Sequence, residues 1–188
     1  MYRRDEVLNP RNAGRVCVVD DDVGVLRLNH AVLYVSDARR SADFYGDVLG
    51  LVVTLRDPAW RFVFLRAHGS PNDHDLGLFT VGALPARPPL TPGLYHLAWE
   101  VETLGELAEM ARELERRGAL VGASDHGVSK SVYGRDPDGI EFEIMWAVPE
   151  DACTDGLAVT APLDLEAEIA RFGADTPGRI TDPPRVSR

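Results

Sequence analysis

One order of elements occurs twice in this sequence, and that repeat restricts the fold more than any other feature. Leu28, His30, Val32 and Tyr34 alternate with Asn29, Ala31, Leu33 and Val35, the period of two that marks a strand, here apolar on both faces. Ser36-Asp37 then reads as the cap of a helix from Ala38 to Leu49. Ala42, Tyr45, Val48 and Leu49 form its apolar stripe, and Gly50 is its stop. LVVTLR, RFVFLRA and DLGLFTV follow as three strands, parted by Asp57-Pro58 and the polar loop HGSPNDH. After a proline-rich stretch the order recurs. LYHLAWEV reads as a strand, Thr103 to Arg117 as a helix ended by Gly118, and ALVGASDHG, SKSVYGRDP and GIEFEIMWA as three extended segments. A repeat of element order with little residue identity implies duplicated architecture.

The chain therefore divides into an arm (1–25), a duplicated domain (26–147) and a tail (148–188). Within the domain, module one covers 26–83, the linker 84–93 and module two 94–147. The expected class is α+β, built from two βαβββ modules. In the arm, Val18-Val19-Asp20-Asp21-Asp22 is similar to the acidic pocket of a receiver domain. The alternating parallel strands and helices of that fold do not follow, so an extra strand or ordered arm is the plainer reading. In the tail, PLDLEAEIARFG has the pattern of a short helix with Leu163, Leu165, Ile169 and Phe172 facing inward. TPGRITDPPRVSR is expected to be extended and mobile.

Composition excludes some partners. The net charge of −10 argues against nucleic acid, and Arg112, Arg116 and Arg117 are interleaved with Glu109, Glu113 and Glu115 as on a solvated helix face. No apolar stretch approaches the roughly 18 residues of a membrane span. The opening MYRRDEVLNPRNAGR has no apolar run to serve as a signal peptide, and Cys17 and Cys153 lie near no metal-binding spacing. A cytoplasmic protein with free thiols is the expectation.

The repeat places His30 and His96 at equivalent points of the two opening strands, while Glu143 follows the turn Asp136-Pro137-Asp138-Gly139. Two imidazoles and a carboxylate are the donor set that holds a non-haem ferrous ion and leaves coordination positions open. A lone strand histidine is more often a packed core residue; a pair at equivalent positions with a carboxylate favours a metal. Glu141 shares a strand face with Glu143 and competes for the role. Trp60, Phe62, Phe64, Trp99 and Trp146 suit either a core or a flat substrate. The turn itself needs no chemistry.

With its element order, paired histidines and DPDG before a glutamate, the stretch from 26 to about 147 resembles the vicinal oxygen chelate superfamily, which implies that the two modules form an open, curled mixed β-barrel around a metal site. That superfamily includes glyoxalase I, fosfomycin-resistance and bleomycin-binding proteins, methylmalonyl-CoA epimerase and type I extradiol dioxygenases. DHGVSKSVYGRDPDGIEFE further resembles the extradiol branch, in its members with a single module pair. The resemblance implies His30, His96 and Glu143 as metal ligands, His126 as the acid/base beside the metal and Tyr133 as a hydrogen-bond donor to substrate oxygen. It implies Fe(II), with Mn(II), Ni(II) or Zn(II) as alternatives, and no further cofactor. Its substrates would be a small aromatic diol and dioxygen, and its assembly a homo-oligomer. His74, in HDLGLF, would line the entrance. The region of Gly77 matches that of Glu143 and carries no ligand, unlike the four-ligand glyoxalase pattern. Gly134 stands where the extradiol pattern commonly has an aromatic residue, which would open the pocket. A turn residue at His126 and core packing at Tyr133 are the plain alternatives. A glyoxalase-like lyase, isomerase or thiol transferase, or a bleomycin-resistance-type binding protein, are the other functions the superfamily allows.

Overall fold

The computed structural model describes residues 25, 27–83, 85, 92–153 and 160–179. The arm (Val25 apart) with its acidic run and Cys17, most of the linker, and residues 180–188 lie outside the described residues.

Each module begins with a strand and a helix whose ends are set locally. In module one, β1 (Ala31–Val35) leads to α1 (Ala38–Leu49). The Asp37 carboxylate accepts from the amides of Arg39 and Arg40 at the N-terminus of α1, and Gly50 turns left-handed at φ 66° to end it. Strands β2 (Val52–Arg56), β3 (Phe62–Arg66) and β4 (Leu76–Thr80) follow. In module two, β5 (His96–Glu100) leads to α2 (Leu104–Arg116), which opens on a capping box between Thr103 and Glu106. Then come β6 (Leu120–Asp125), β7 (Ser129–Arg135) and β8 (Glu141–Ala147). The repeated order expected from the sequence is the order observed.

The strands, with a short one in the tail, β9 (Ala161–Pro162), make two mixed sheets, ordered β1-β4-β3-β2 and β5-β8-β7-β6-β9. Their centres match: β1 runs parallel to β4, and β5 parallel to β8. One face of each sheet packs on the helices in a shared core. Leu33, Val35, Val63, Leu65 and Leu78 come from the first sheet, and Val132, Phe142, Ile144 and Trp146 from the second. Phe44 and Tyr45 of α1 lie against Phe142 of β8, with ring centroids 6.0 and 5.8 Å apart. Since both helices sit in that common core, the other face of each sheet turns away from it. The first sheet's uncovered face is apolar: Val32, Tyr34 and Leu55 are 50%, 74% and 55% exposed. The two sheets share no strand pairing among the described residues, so one chain leaves its barrel open.

The DPDG turn fastens the modules together, a role the sequence did not signal. Asp138 accepts from the Ser36 amide (2.8 Å), the Ser36 hydroxyl (2.6 Å) and the Arg40 guanidinium (2.7 Å). Asp136 accepts the amides of Asp138 and Ile140 and, at 3.2 Å, the Tyr45 hydroxyl. Burial raises the Asp136 pKa above the ordinary aspartate value against the pull of those amides, and burial also keeps the Tyr45 hydroxyl protonated.

The tail returns to module two. β9 (Ala161–Pro162) pairs with β6, and α3 (Leu165–Phe172) sets Leu165, Ile169 and Phe172 against the core. Of the segment expected to be extended and mobile, 176–188, the described residues 176–179 are tied to module two. There the Gly178 amide bonds to the Glu102 carbonyl, the Arg179 amide to the Ala147 carbonyl, and Trp146 Nε1 to the Thr176 carbonyl. Backbone donors and acceptors already satisfied by module two fix the segment.

Candidate metal centre on the second sheet

The parallel pairing of β5 with β8 puts His96 opposite Glu141 and Ala98 opposite Glu143. Alternation then places His96, Glu141 and Glu143 on the uncovered face, with Leu97, Phe142 and Ile144 toward the core. His96 Nε2 lies 3.1 Å from Glu143 Oε2, with the two side chains 26% and 13% exposed. Glu141, the competitor, is held instead by Arg135, 3.2 Å from its Oε2. The carboxylate free to join His96 is therefore Glu143.

Antiparallel β7 brings Tyr133 opposite Glu143 on that same face. The Tyr133 hydroxyl is 3.4 Å from Glu143 Oε1 and 2.8 Å from His126 Nε2. Burial, and then the negative charge of Glu143, raise the Tyr133 pKa above its ordinary value, so the phenol keeps its proton and can donate. His126 sits in the turn after β6, where the Gly127 amide bonds to Asp125 Oδ1 at 2.7 Å. Its Nδ1 is 3.5 Å from the Thr160 hydroxyl. Four side chains named from the sequence thus form one connected run, His126–Tyr133–Glu143–His96.

His30 is elsewhere. It immediately precedes β1 on the uncovered side of the first sheet, exposed, with its ring 4.6 Å from that of His74. His74 stacks in turn on Phe64 at 4.5 Å. Among the described residues no three His, Cys, Asp or Glu side chains come together in a group able to hold a metal. The chain joins His96 to Glu143 and leaves His30 apart from them.

The donor chemistry nevertheless fits a divalent ion. His30 Nδ1 is 2.8 Å from Asn29 Oδ1, an acceptor only, so the ring proton sits on Nδ1 and Nε2 presents a lone pair. At His96, Nε2 and the Glu143 carboxylate stand 3.1 Å apart, a separation that two ligands of one ion can have, while the buried Nδ1 has no hydrogen-bond partner. Register also sets the two modules in correspondence. Val32, two residues past His30, faces Gly77, just as Ala98, two past His96, faces Glu143. Gly77 is thus the module-one counterpart of Glu143. A Cβ there would meet the Phe64 ring and Val32 Cγ2 at 3.3–3.4 Å, so the place of a fourth carboxylate is taken by apolar atoms.

Gly134 has a different meaning from the one expected. It points into the core, where an added Cβ would stand 2.7 Å from Phe142 Cζ and 2.9 Å from Leu114 Cδ2. Its neighbour Tyr133 faces the other way, so Gly134 opens no space in the site. The aromatic side chains divide similarly. Trp146 is fully buried and Trp99 packs on the core, while Phe62, Phe64 and Phe79 cluster on the first sheet's uncovered face. Trp60 lies beneath the guanidinium of Arg56, 4.9 Å from its centroid. Residues that the sequence reading missed are Thr160 and the buried Lys130; no local pattern marks either.

No helix among the described residues is long and apolar enough to cross a membrane. Residues 27–144 match the model of the Glyoxalase/Bleomycin resistance protein/Dioxygenase superfamily. The chain is 36% identical over 132 residues to biphenyl-2,3-diol 1,2-dioxygenase 3 of Rhodococcus globerulus, covering 67% of each. It is 30% identical over 127 residues to lactoylglutathione lyase of Neisseria meningitidis, covering 64% of this chain and 90% of that one. A solved glyoxylase/bleomycin resistance protein/dioxygenase domain from Frankia sp. shares the fold at TM-score 0.57 and 22% identity, covering 68% of this chain and 96% of that one. A match over residues 27–144, more than half of the chain, together with two βαβββ modules, makes this chain a member of the Glyoxalase/Bleomycin resistance protein/Dioxygenase superfamily.

Proposed function

We propose that the chain is an extradiol-type dioxygenase, opening a catecholic ring at a divalent metal, Fe(II) in preference to Mn(II), Ni(II) or Zn(II). The observation that carries this reading is the run His126–Tyr133–Glu143–His96 on one uncovered sheet face. Gly77 in place of a fourth carboxylate supports three protein ligands over four, as does the likeness to a biphenyl-2,3-diol dioxygenase. His30, His96 and Glu143 would hold the ion, which when bound would acidify a catechol hydroxyl and bring dioxygen to it. The chain's own residues then handle protons. The Tyr133 hydroxyl, kept protonated, donates to oxygen on the substrate or to Glu143. His126, 2.8 Å behind it, takes a proton from the substrate side and returns one later in the turnover. Phe62, Phe64 and Phe79 supply an apolar wall for a flat ring.

Because His30 lies apart from the other two ligands, the proposed site closes between two copies of the chain. The first sheet of one copy covers the second sheet of the other. A two-fold axis makes both contacts at once and yields two equal sites, each with His30 from one copy and His96 and Glu143 from the other. The exposed Val32, Tyr34 and Leu55 give that contact its apolar surface.

The test is subunit complementation. Protein purified without oxygen is loaded with ferrous iron and assayed for oxygen uptake on a panel of catechols. His30→Ala and His96→Ala are each expected to be inactive. Unfolded and refolded together, they should recover about a quarter of the wild-type activity, because one site of every mixed dimer is intact. No recovery on mixing would mean that each site is built within one chain. Metal binding without oxygen uptake on any catechol would instead favour the lyase suggested by the likeness to lactoylglutathione lyase.

A further inference from the structure

We infer that the C-terminal segment, Thr160 to Phe172, is a positioning element for His126, acting through Lys130. The inference rests on the reading of His126 given above but assigns a role to a segment outside the superfamily match, which ends at 144. Lys130 lies on the core-facing side of β7 and is only 2% exposed. An ammonium buried that far is tolerated only when opposite charges surround it. Two do. Asp125 Oδ1 lies 2.7 Å from Nζ, and Glu168 Oε2, on α3, lies 2.9 Å from it.

Those two carboxylates have different duties. Asp125 immediately precedes His126 and also accepts the Gly127 amide, so its side chain sets the shape of the turn that carries the imidazole. Burial opposes its ionisation, but the bonds from Lys130 and Gly127 prevail and bring its pKa below the ordinary value. Glu168 contributes nothing to that turn directly; it balances Lys130 and ties it to the tail. β9 adds a second hold, pairing Ala161 with Asp125 and Pro162 with Ser124. A third is the Thr160 hydroxyl, 3.5 Å from His126 Nδ1. The tail thus reaches the imidazole from the side opposite Tyr133, which is bound at Nε2. Because the Tyr133 hydroxyl donates to the Glu143 carboxylate, its oxygen accepts from His126 Nε2, and Nδ1 is left to accept from Thr160, which keeps the ring in one orientation and one tautomer.

Metal-free full-length protein with 15N-labelled histidine reads this without activity. Long-range proton–nitrogen spectra are expected to show His126 as a single tautomer in the wild type. In Glu168→Gln, which keeps the volume of the side chain, the His126 signals should move toward tautomer-averaged values. Amide exchange at 125–127 should rise about tenfold there, with α1 and α2 unchanged. Lys130→Met should do the same, and the double variant should be no worse than Lys130→Met alone, because both changes break one linkage. Where ring cleavage is observed, kcat should fall roughly ten- to a hundredfold with KM and metal content unchanged. Unaltered His126 signals in Glu168→Gln, or in whichever of the two variants folds, would overturn the inference and leave α3 as mere packing. If no catechol is cleaved, the functional reading fails, while the spectra still decide the role of the tail.

Discussion

Removing the Asp138 carboxylate should loosen the two modules from one another by an amount the geometry sets. In Asp138→Ala the half-buried Ser36 amide loses its acceptor at 2.8 Å, and an unsatisfied buried donor costs about 1–2 kcal/mol. The Ser36 hydroxyl, 2.6 Å from Asp138, can turn its proton to water while still accepting from Arg40, and loses little. Arg40 is 50% exposed, so its ion pair adds no more than about 1 kcal/mol after solvent screening. Together these predict a loss of about 1–3 kcal/mol, or a melting temperature lower by about 2–12 °C for a chain of this size. Urea unfolding of the wild type, Asp138→Ala and Asp138→Asn is the assay, with Asn keeping one acceptor oxygen and losing about half as much. Arg40→Gln serves as the control for the exposed pair and should cost under about 1 kcal/mol. A loss below about 0.5 kcal/mol in Asp138→Ala would refute the idea that this carboxylate joins the modules. The functional consequence follows from the same geometry. These bonds hold the modules with their uncovered faces apart, so weakening them should reduce recovery in the subunit-mixing assay as well.

Two further outcomes follow from the same coordinates. Gly134→Ala should destabilise the protein by about 1–3 kcal/mol in urea unfolding, since the new methyl meets the fully buried Phe142 and Leu114 with no room to retreat; metal uptake, which the proposed site assigns to the opposite face, should be unchanged. Asp57 is held at a pKa of about 2, chiefly by the Arg61 side chain, against an unfolded value near 4. Its stabilising effect is therefore complete above that unfolded value and is lost as pH falls from about 4 toward 2. Asp57→Asn should lower the urea midpoint at pH 6 more than at pH 2.5, and an equal drop at both would contradict the assignment.

What the sequence made legible was whatever is decided within a few residues. Asp37 with Gly50 and Thr103 with Gly118 bracket the helices because caps and stops act over a single turn. The face shared by His96, Glu143 and Tyr133 was also within reach, since strand alternation fixes which side chains can meet. Gly134 shows the same rule from the other side. Its departure from the family pattern suggested an open pocket, yet the period of two already placed it across the strand from Tyr133, facing the core. The unreadable parts all depend on contacts between distant segments. Asp138 meets Ser36 across 102 residues, and nothing near a turn reports such a partner. Lys130 has the local pattern of an exposed strand residue; only the return of α3, bringing Glu168, makes its burial possible. The position of His30 is the largest case. Element order gives two similar modules, but not which face of one meets which face of the other. Here α1 and α2 share one core and the sheets turn outward, so two histidines equivalent in sequence lie on separate surfaces. Equivalence under the internal repeat and proximity in one chain are different properties. A two-fold pairing of chains would convert the first into the second, which is why subunit mixing, and not metal content alone, bears on how the site is built.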